Sequence, residues 1–196
     1  MCTRRPSTGF TLIEVVLFII IMGIAFVGML ILYNRVTSAS VDPIVRKQAL
    51  AIASSLLEEI ELHAFTFCDP DDPNVYTATG PPPTGCTTVE GIGIEGGETR
   101  YSVPRFDNVS DYNGFCMGPG LPVCPDAVIR TAAGATISDL ATYRVDASVA
   151  TNAANEPGPD VPAGEALLIT VTATHAPTGI TASLQSYRVR YAPNSP

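Results

Sequence analysis

Residues 9–33 read GFTLIEVVLFIIIMGIAFVGMLILY, and this stretch decides the fold of the chain. Its last part, residues 15–33, carries no charged side chain. At a rise of about 1.5 Å per residue, a helix of that length spans about 30 Å, the thickness of a bilayer core. The stretch therefore predicts a membrane helix over residues 10–34.

The residues before this stretch, MCTRRPST, form a short, polar and basic segment. Arg4 and Arg5 favour a cytoplasmic N-terminus, which places the rest of the chain across the membrane. An ordinary signal peptide is an alternative, but its apolar run has about 7–15 residues and is shorter than this one. A plain single-span anchor is the other alternative.

Residues 9–16, GFTLIEVV, resemble the prepilin cleavage motif of type IV pilins and type II secretion pseudopilins. The resemblance implies that a prepilin peptidase cuts after Gly9 and removes a leader of residues 1–9. It also implies a methylated amine on Phe10 and an assembly role for Glu14, the fifth residue after the cut. The implied location is the bacterial inner membrane before assembly and an extracellular pilus afterwards. The implied partners are other pilin subunits, the inner membrane and the pilus assembly platform.

The position of Glu14 agrees with this resemblance. An isolated carboxylate beside a membrane span is costly, so it is a functional residue by default. The freed amine of a neighbouring subunit's Phe10 would supply a positive partner. Such a pair is poorly screened in a lipid-free filament core and would set the register between helices. The alternative is that Glu14 lies at the membrane interface without a partner.

The second half of the helix, predicted over residues 35–66, is amphipathic. Asp42-Pro43 has the pattern of a helix start, with Asp at the N-cap and Pro at the first helical position. The helix either continues through Pro43 or bends there. Steps of three and four residues place one apolar face on Val45, Ala49, Ile52, Leu56 and Ile60.

Three further segments indicate a particular group within the type IV pilin family. They are DPIVRKQALAIASSLLEEI at residues 42–60, CDPDD at 68–72 and FDNVSDYNGF at 106–115. Together they resemble minor pilins of the mannose-sensitive haemagglutinin (MSHA) pilus. The resemblance implies a structural and assembly subunit.

The remainder, residues 67–196, is predicted to be a β-rich extracytoplasmic domain. Alternation and β-branched residues predict strands at Tyr101–Phe106, Tyr143–Ala150, Ala166–Thr174 and Ile180–Tyr191. The last two are separated by a short Pro-Thr-Gly turn and should form an antiparallel hairpin. The predicted class is α+β, a long N-terminal helix packed on a small antiparallel sheet with disulfide-stapled loops.

The chain has five cysteines, of which Cys2 lies in the predicted leader. Removing the leader leaves Cys68, Cys86, Cys116 and Cys124, an even number typical of disulfides in an exported domain. Four cysteines allow three connectivities. Pairing of sequence neighbours is the simplest, since it staples two loops rich in Pro and Gly. No CxxC motif is present, so a zinc site is disfavoured.

Other chemistry is poorly supported by the sequence. A net charge of −8 with only 11 scattered Lys and Arg residues disfavours nucleic acid. The glycines of GIGIEG at residues 91–96 lack the strand and helix of a dinucleotide site. We expect no enzyme activity and no cofactor. An acidic loop could place oxygens around Ca²⁺, but the spacing of an EF-hand is absent and a solvated loop is favoured; the residues are Asp69, Asp71, Asp72 and Asn74.

Two other functions stay open beside the minor pilin. The first is a minor pseudopilin of a type II secretion system, because the cleavage motif is shared by both families. The second is a membrane-anchored module that binds a surface such as a carbohydrate. Neighbouring genes would separate the first from a pilus, and glycan binding with intact filaments after deletion would favour the second.

Overall fold

The structure is a computed structural model that describes residues 9–80 and 85–196, with the backbone alone for residues 36–42. The predicted leader residues 1–8, with Cys2, Arg4 and Arg5, therefore lie outside the described residues. The chain divides into two compact units, residues 1–44 and residues 45–196. Each unit is described by itself below.

A single helix, α1, runs over Leu12–Glu61. The Thr11 carbonyl accepts hydrogen bonds from the backbone N–H groups of Glu14 and Val15, at 3.1 and 3.3 Å. Pro43 lies inside the helix, so Asp42-Pro43 does not begin a separate one. The sequence signal for a start was misleading because Pro also fits inside a helix when packing stabilises the turns around it.

The part of α1 that belongs to the second unit supplies one wall of the hydrophobic core. Its buried positions are Val45, Ala49, Ala53, Leu56 and Ile60. The observed buried face of α1 differs from the predicted face at one position. Ala53 is fully buried, whereas Ile52 is partly buried and packs at the edge of the core.

The sheet has four antiparallel strands in the order β1-β2-β3-β4. These are β1 at Cys116–Met117, β2 at Tyr143–Thr151, β3 at Ala166–His175 and β4 at Ile180–Val189. The predicted terminal hairpin is confirmed by the pairing of β3 with β4 from Ala166–Val189 to His175–Ile180. The α+β class is therefore shown.

The strands bury alternate residues, as expected for a sheet with one face on a core. On β3 the core face carries Leu167, Ile169, Val171 and Ala173, all fully buried. The opposite face carries threonines, including Thr170 and Thr172. The apolar face packs with α1 in one core.

The predicted strand at residues 101–106 is wrong. This segment is a closed loop, in which the Thr99 N–H donates to the Pro104 carbonyl and the Phe106 N–H donates to the Thr99 carbonyl. Pro104 has no N–H to donate to a strand partner, which disfavours a ladder there. The strand next to β2 is instead the two-residue β1, and β4 ends at Val189 rather than Tyr191.

Two disulfides join sequence neighbours, Cys68 with Cys86 and Cys116 with Cys124. Each pair has a Cα–Cα distance of 5.4 Å, the usual range for a disulfide. The Cys68 pair closes a loop that has its own small core, with Val75 and Ala78 buried. The Cys116 pair joins β1 to the loop that follows it.

We expect alkylation of the mature protein without reductant to label none of these four thiols. Replacing Cys68 and Cys86 together by Ala should lower the free energy of unfolding by roughly 3 kcal/mol, since the closed loop constrains the unfolded chain. Mass spectrometry after alkylation and a urea titration measure the two effects. Prior reduction, which should expose all four thiols, is the control. Two labelled thiols in the unreduced protein would contradict the pairing.

Candidate functional site

The predicted processing residues lie at the start of α1. Gly9 and Phe10 precede the helix, and the Phe10 side chain is 82% exposed. Glu14 lies in the first helical turn and is exposed. The predicted cleavage position, Gly9-Phe10, therefore lies outside regular structure, immediately before the helix.

The helix that follows exposes its apolar side chains on every side. From Leu12 to Tyr33 the large apolar residues are all at least 38% exposed. Within the described residues, one helical segment, Leu12–Arg35, is long and apolar enough to cross a membrane. So much exposed apolar surface requires a lipid or protein environment around it.

Phe10, Glu14, Val15 and Phe18 line one shallow groove of about 340 Å³ on this segment. Glu14 and Phe18 lie on one face of the helix because residues four apart are neighbours there, and Phe10 lies just before the first turn. The Glu14 side chain has no hydrogen bond or ion pair among the described residues. Its carboxylate is thus presented on an apolar surface, next to the residue that becomes the N-terminus if the chain is cut after Gly9.

A second constellation lies in the second unit, residues 45–196, and consists of four carboxylates. Asp69, Asp71, Glu98 and Asp107 each place a carboxylate oxygen within 4.8 Å of one from each of the others. We refer to these four residues as the acidic cluster. Glu98 is buried, Asp69 and Asp107 are half-buried, and Asp71 is exposed.

Local backbone bonds bring the members of the acidic cluster together. The loop closed by Thr99 and Phe106 has Glu98 and Asp107 at its two ends. The next residue, Asn108, bridges to Ala64, and its side-chain amide donates to the Thr66 hydroxyl at 2.9 Å. This docks residue 107 beside the segment that leads into Asp69.

Only half of the acidic loop considered from the sequence takes part. Asp72 faces the disulfide loop instead, where its carboxylate accepts the N–H groups of Asn74, Thr87 and Thr88. The Thr88 bond is the main reason that the pKa of Asp72 lies below its ordinary value. Asn74 donates its amide to Thr87. Both residues therefore hold the Cys68–Cys86 loop closed.

The acidic cluster is electrostatically unfavourable by itself. Burial first, and then repulsion by Asp111 and the other members, raises the pKa of Glu98 to about 8. The same two causes raise the pKa of Asp107 to about 7. Asp111 lies behind the cluster, fully buried, and accepts the backbone N–H groups of Asp107 and Asn108. In the described part of the chain, no Lys, Arg or His forms an ion pair with the four carboxylates.

A third polar group fixes the end of α1 to the rest of its unit. Arg100 donates from Nε and Nη2 to the two oxygens of Glu59, both at 2.6 Å. The Tyr112 hydroxyl donates to Glu59 at 2.9 Å and lies 3.1 Å from Nε2 of His63. Burial by itself would raise the pKa of Glu59. The Arg100 guanidinium more than offsets this effect, so the pKa of Glu59 lies below its ordinary value.

A cleft of about 370 Å³ lies beside this ion pair, between α1 and residues 129–140. Its walls are largely apolar. The polar residues at its rim bond within the protein, since Glu59 pairs with Arg100 and Gln48 accepts the Tyr143 hydroxyl at 2.6 Å. The cleft therefore resembles a gap in packing more than a built ligand site.

Sequence reasoning missed Glu98 and Asp107 because they are separated from Asp69 by about thirty residues and more. The local signal was an Asp-rich run, and it could not show which carboxylates face each other. It also missed the pair of Glu59 and Arg100. No known family profile, no curated protein and no solved structure matches this chain.

Proposed function

We propose that this chain is a minor pilin, a structural and assembly subunit of an MSHA-like type IV pilus. The observation that carries the proposal is the sequence GFTLIEVV, placed where a short basic segment meets an exposed apolar helix. An apolar helix with one carboxylate in its first turn suits a subunit that leaves the membrane and packs with copies of the same type of helix.

The exposed surface of residues 12–33 supports a role in assembly. A helix that is apolar all round fits a bilayer equally well, so the apolar surface alone does not distinguish an anchor from a subunit. Glu14 makes the difference, because a lone carboxylate disfavours the bilayer and favours a site that supplies a cation. The methylated amine of a neighbouring Phe10 would be that cation.

The first prediction of the proposal concerns processing. The mature protein should begin at Phe10 with a methylated amine, because Gly9-Phe10 follows a short basic leader. N-terminal mass spectrometry of protein from its own host measures this. Replacing Gly9 with a bulky residue such as Leu should block the cut, and Gly23→Leu, deep in the helix, is the matched control. A start at Met1, or near Ser40 after the small residues Ser38 and Ala39 where a signal peptidase would cut, would overturn the prepilin assignment.

Location separates a pilus subunit from a secretion pseudopilin. Immunogold labelling of sheared filaments should mark the protein in pili if it is a minor pilin. If the cleaved protein were absent from filaments and its deletion blocked export of secreted proteins, the pseudopilin function would be favoured instead.

A further inference from the structure

We propose that the acidic cluster of Asp69, Asp71, Glu98 and Asp107 is a calcium-binding site that joins the Cys68–Cys86 loop to the segments on either side of residues 99–106. The inference is independent of the proposed function, since it rests on residues of the second unit, 45–196, alone.

The spacing of the carboxylates suits a single cation. Their oxygens lie within 4.8 Å of one another. Two oxygens on opposite sides of one Ca²⁺, each at about 2.4 Å, are about 4.8 Å apart. The four carboxylates are therefore as close together as the ligands of a single calcium ion.

The state of Glu98 points to a missing ligand. The residue is 6% exposed, and its Oε2 atom is buried without a hydrogen-bond partner among the described residues. The carboxylate nevertheless faces the other three members of the acidic cluster. An ionised buried carboxylate beside three others is costly unless a cation compensates it. Without a cation Glu98 keeps its proton at neutral pH, as its raised pKa indicates, and a bound cation would replace that proton.

The chemistry of the ligands selects the type of cation. All four donors are carboxylates, which suit hard cations such as Ca²⁺ and Mg²⁺ rather than zinc or copper. Ca²⁺ takes about 6–8 oxygens in flexible geometry. Asp71 is exposed, so water can complete the shell from that side. Four ligands from three separate segments favour the larger and more tolerant ion, Ca²⁺.

The site would have a structural effect. Asp69 and Asp71 lie just after Cys68, whereas Glu98 and Asp107 flank the loop at residues 99–106. A bound ion would link these segments and remove the repulsion between their carboxylates. Calcium should thus stabilise the folded state and order the acidic loop.

The test is thermal unfolding of the full mature chain in detergent, first in chelator and then with added calcium. For a weak extracellular-type site, about 10 mM CaCl₂ should raise Tm by roughly 3–8 °C. The same concentration of MgCl₂ should raise it by less than half as much. Calorimetric titration with CaCl₂ should give one ion per chain.

Two variants examine the site itself. Asp71→Asn changes an exposed ligand and should fold normally, and Glu98→Gln removes the buried charge. Both should lose most of the calcium shift, and Glu98→Gln should melt near the parental Tm in chelator at pH 7, because Glu98 is largely protonated there and Gln resembles its neutral form. Asp139→Asn, an exposed carboxylate outside the acidic cluster, should keep the full shift.

The proposal is overturned if calcium leaves the parental Tm unchanged, or if Asp71→Asn and Glu98→Gln retain the parental shift. An equal shift with magnesium, also retained by both variants, would identify general ionic screening and would equally reject the site.

Discussion

Replacing Glu14 with Ala is expected to lower incorporation of the protein into filaments by about two to four orders of magnitude. The substitution removes the one charged side chain between Phe10 and Tyr33. Insertion of the variant into the membrane should be at least as favourable as that of the parent, because a carboxylate is disfavoured there. Glu14 has no side-chain partner within the described chain, so its loss should leave the fold and the abundance unchanged.

The loss should appear on assembly. If the neighbour's Phe10 amine pairs with Glu14, the variant leaves that amine uncompensated in the filament core. Breaking a buried ion pair by removing one partner costs about 3–5 kcal/mol. At about 1.4 kcal/mol per factor of ten, this gives the expected decrease. The protein should be cleaved and retained in the inner membrane.

Quantitative immunoblots of sheared filaments and of membranes measure this distribution. Glu58→Ala is the matched control, since Glu58 is an exposed carboxylate of the same helix outside the apolar segment. The control should be found in filaments at the parental level. Recovery of Glu14→Ala at that level too would make Glu14 an interfacial carboxylate and would favour a plain anchor.

Local patterns allowed much of the fold to be predicted from the sequence. Three features depend on neighbouring residues only: the helix over the uncharged run, the alternation in β2 and β3, and the turn at residues 177–179. The structure contains all three. The segment 101–106 has the composition of a strand, but Pro104 and the bonds to Thr99 favour a loop. Propensity could not show this, because strand formation depends on a partner elsewhere in the chain.

The candidate sites also differ in whether their residues are close together in the sequence. Gly9, Phe10 and Glu14 lie within one six-residue segment, residues 9–14, so one motif contains them. The acidic cluster depends on contacts over about 30–40 residues, and the ion pair of Glu59 and Arg100 is 41 residues apart. No local pattern reports such contacts, since they follow from how the loops dock on α1.

The second large effect is expected at Arg100. Its side chain is 5% exposed and that of Glu59 is 19% exposed, and the two are joined by a bidentate pair. Arg100→Met should lower the free energy of unfolding by about 3–5 kcal/mol at pH 7, because a buried Glu59 carboxylate is left with Tyr112 as its main partner. The urea midpoint, followed by tyrosine fluorescence, measures this loss.

The pH dependence distinguishes a lost ion pair from a lost side-chain volume. In the parent, Arg100 lowers the pKa of Glu59, so the stabilisation is present above the ordinary pKa of 4.5 and is lost as pH falls below it. In Arg100→Met, burial is opposed only by the smaller effects of Tyr112 and His63, so the pKa of Glu59 should be higher than in the parent. The difference between variant and parent should therefore be largest at pH 7 and become smaller towards pH 4.

Two further variants complete this argument. Arg100→Met combined with Glu59→Leu should be more stable than Arg100→Met alone, since apolar replacement of both partners leaves no unpaired charge. Arg130→Met is the control, because Arg130 pairs with Asp126 at a side chain that is 34% exposed, and such pairs contribute up to about 1 kcal/mol. An equal loss at pH 7 and pH 4 in Arg100→Met would mean that Arg100 stabilises the unit through packing against Tyr101 and Phe115 rather than through its charge.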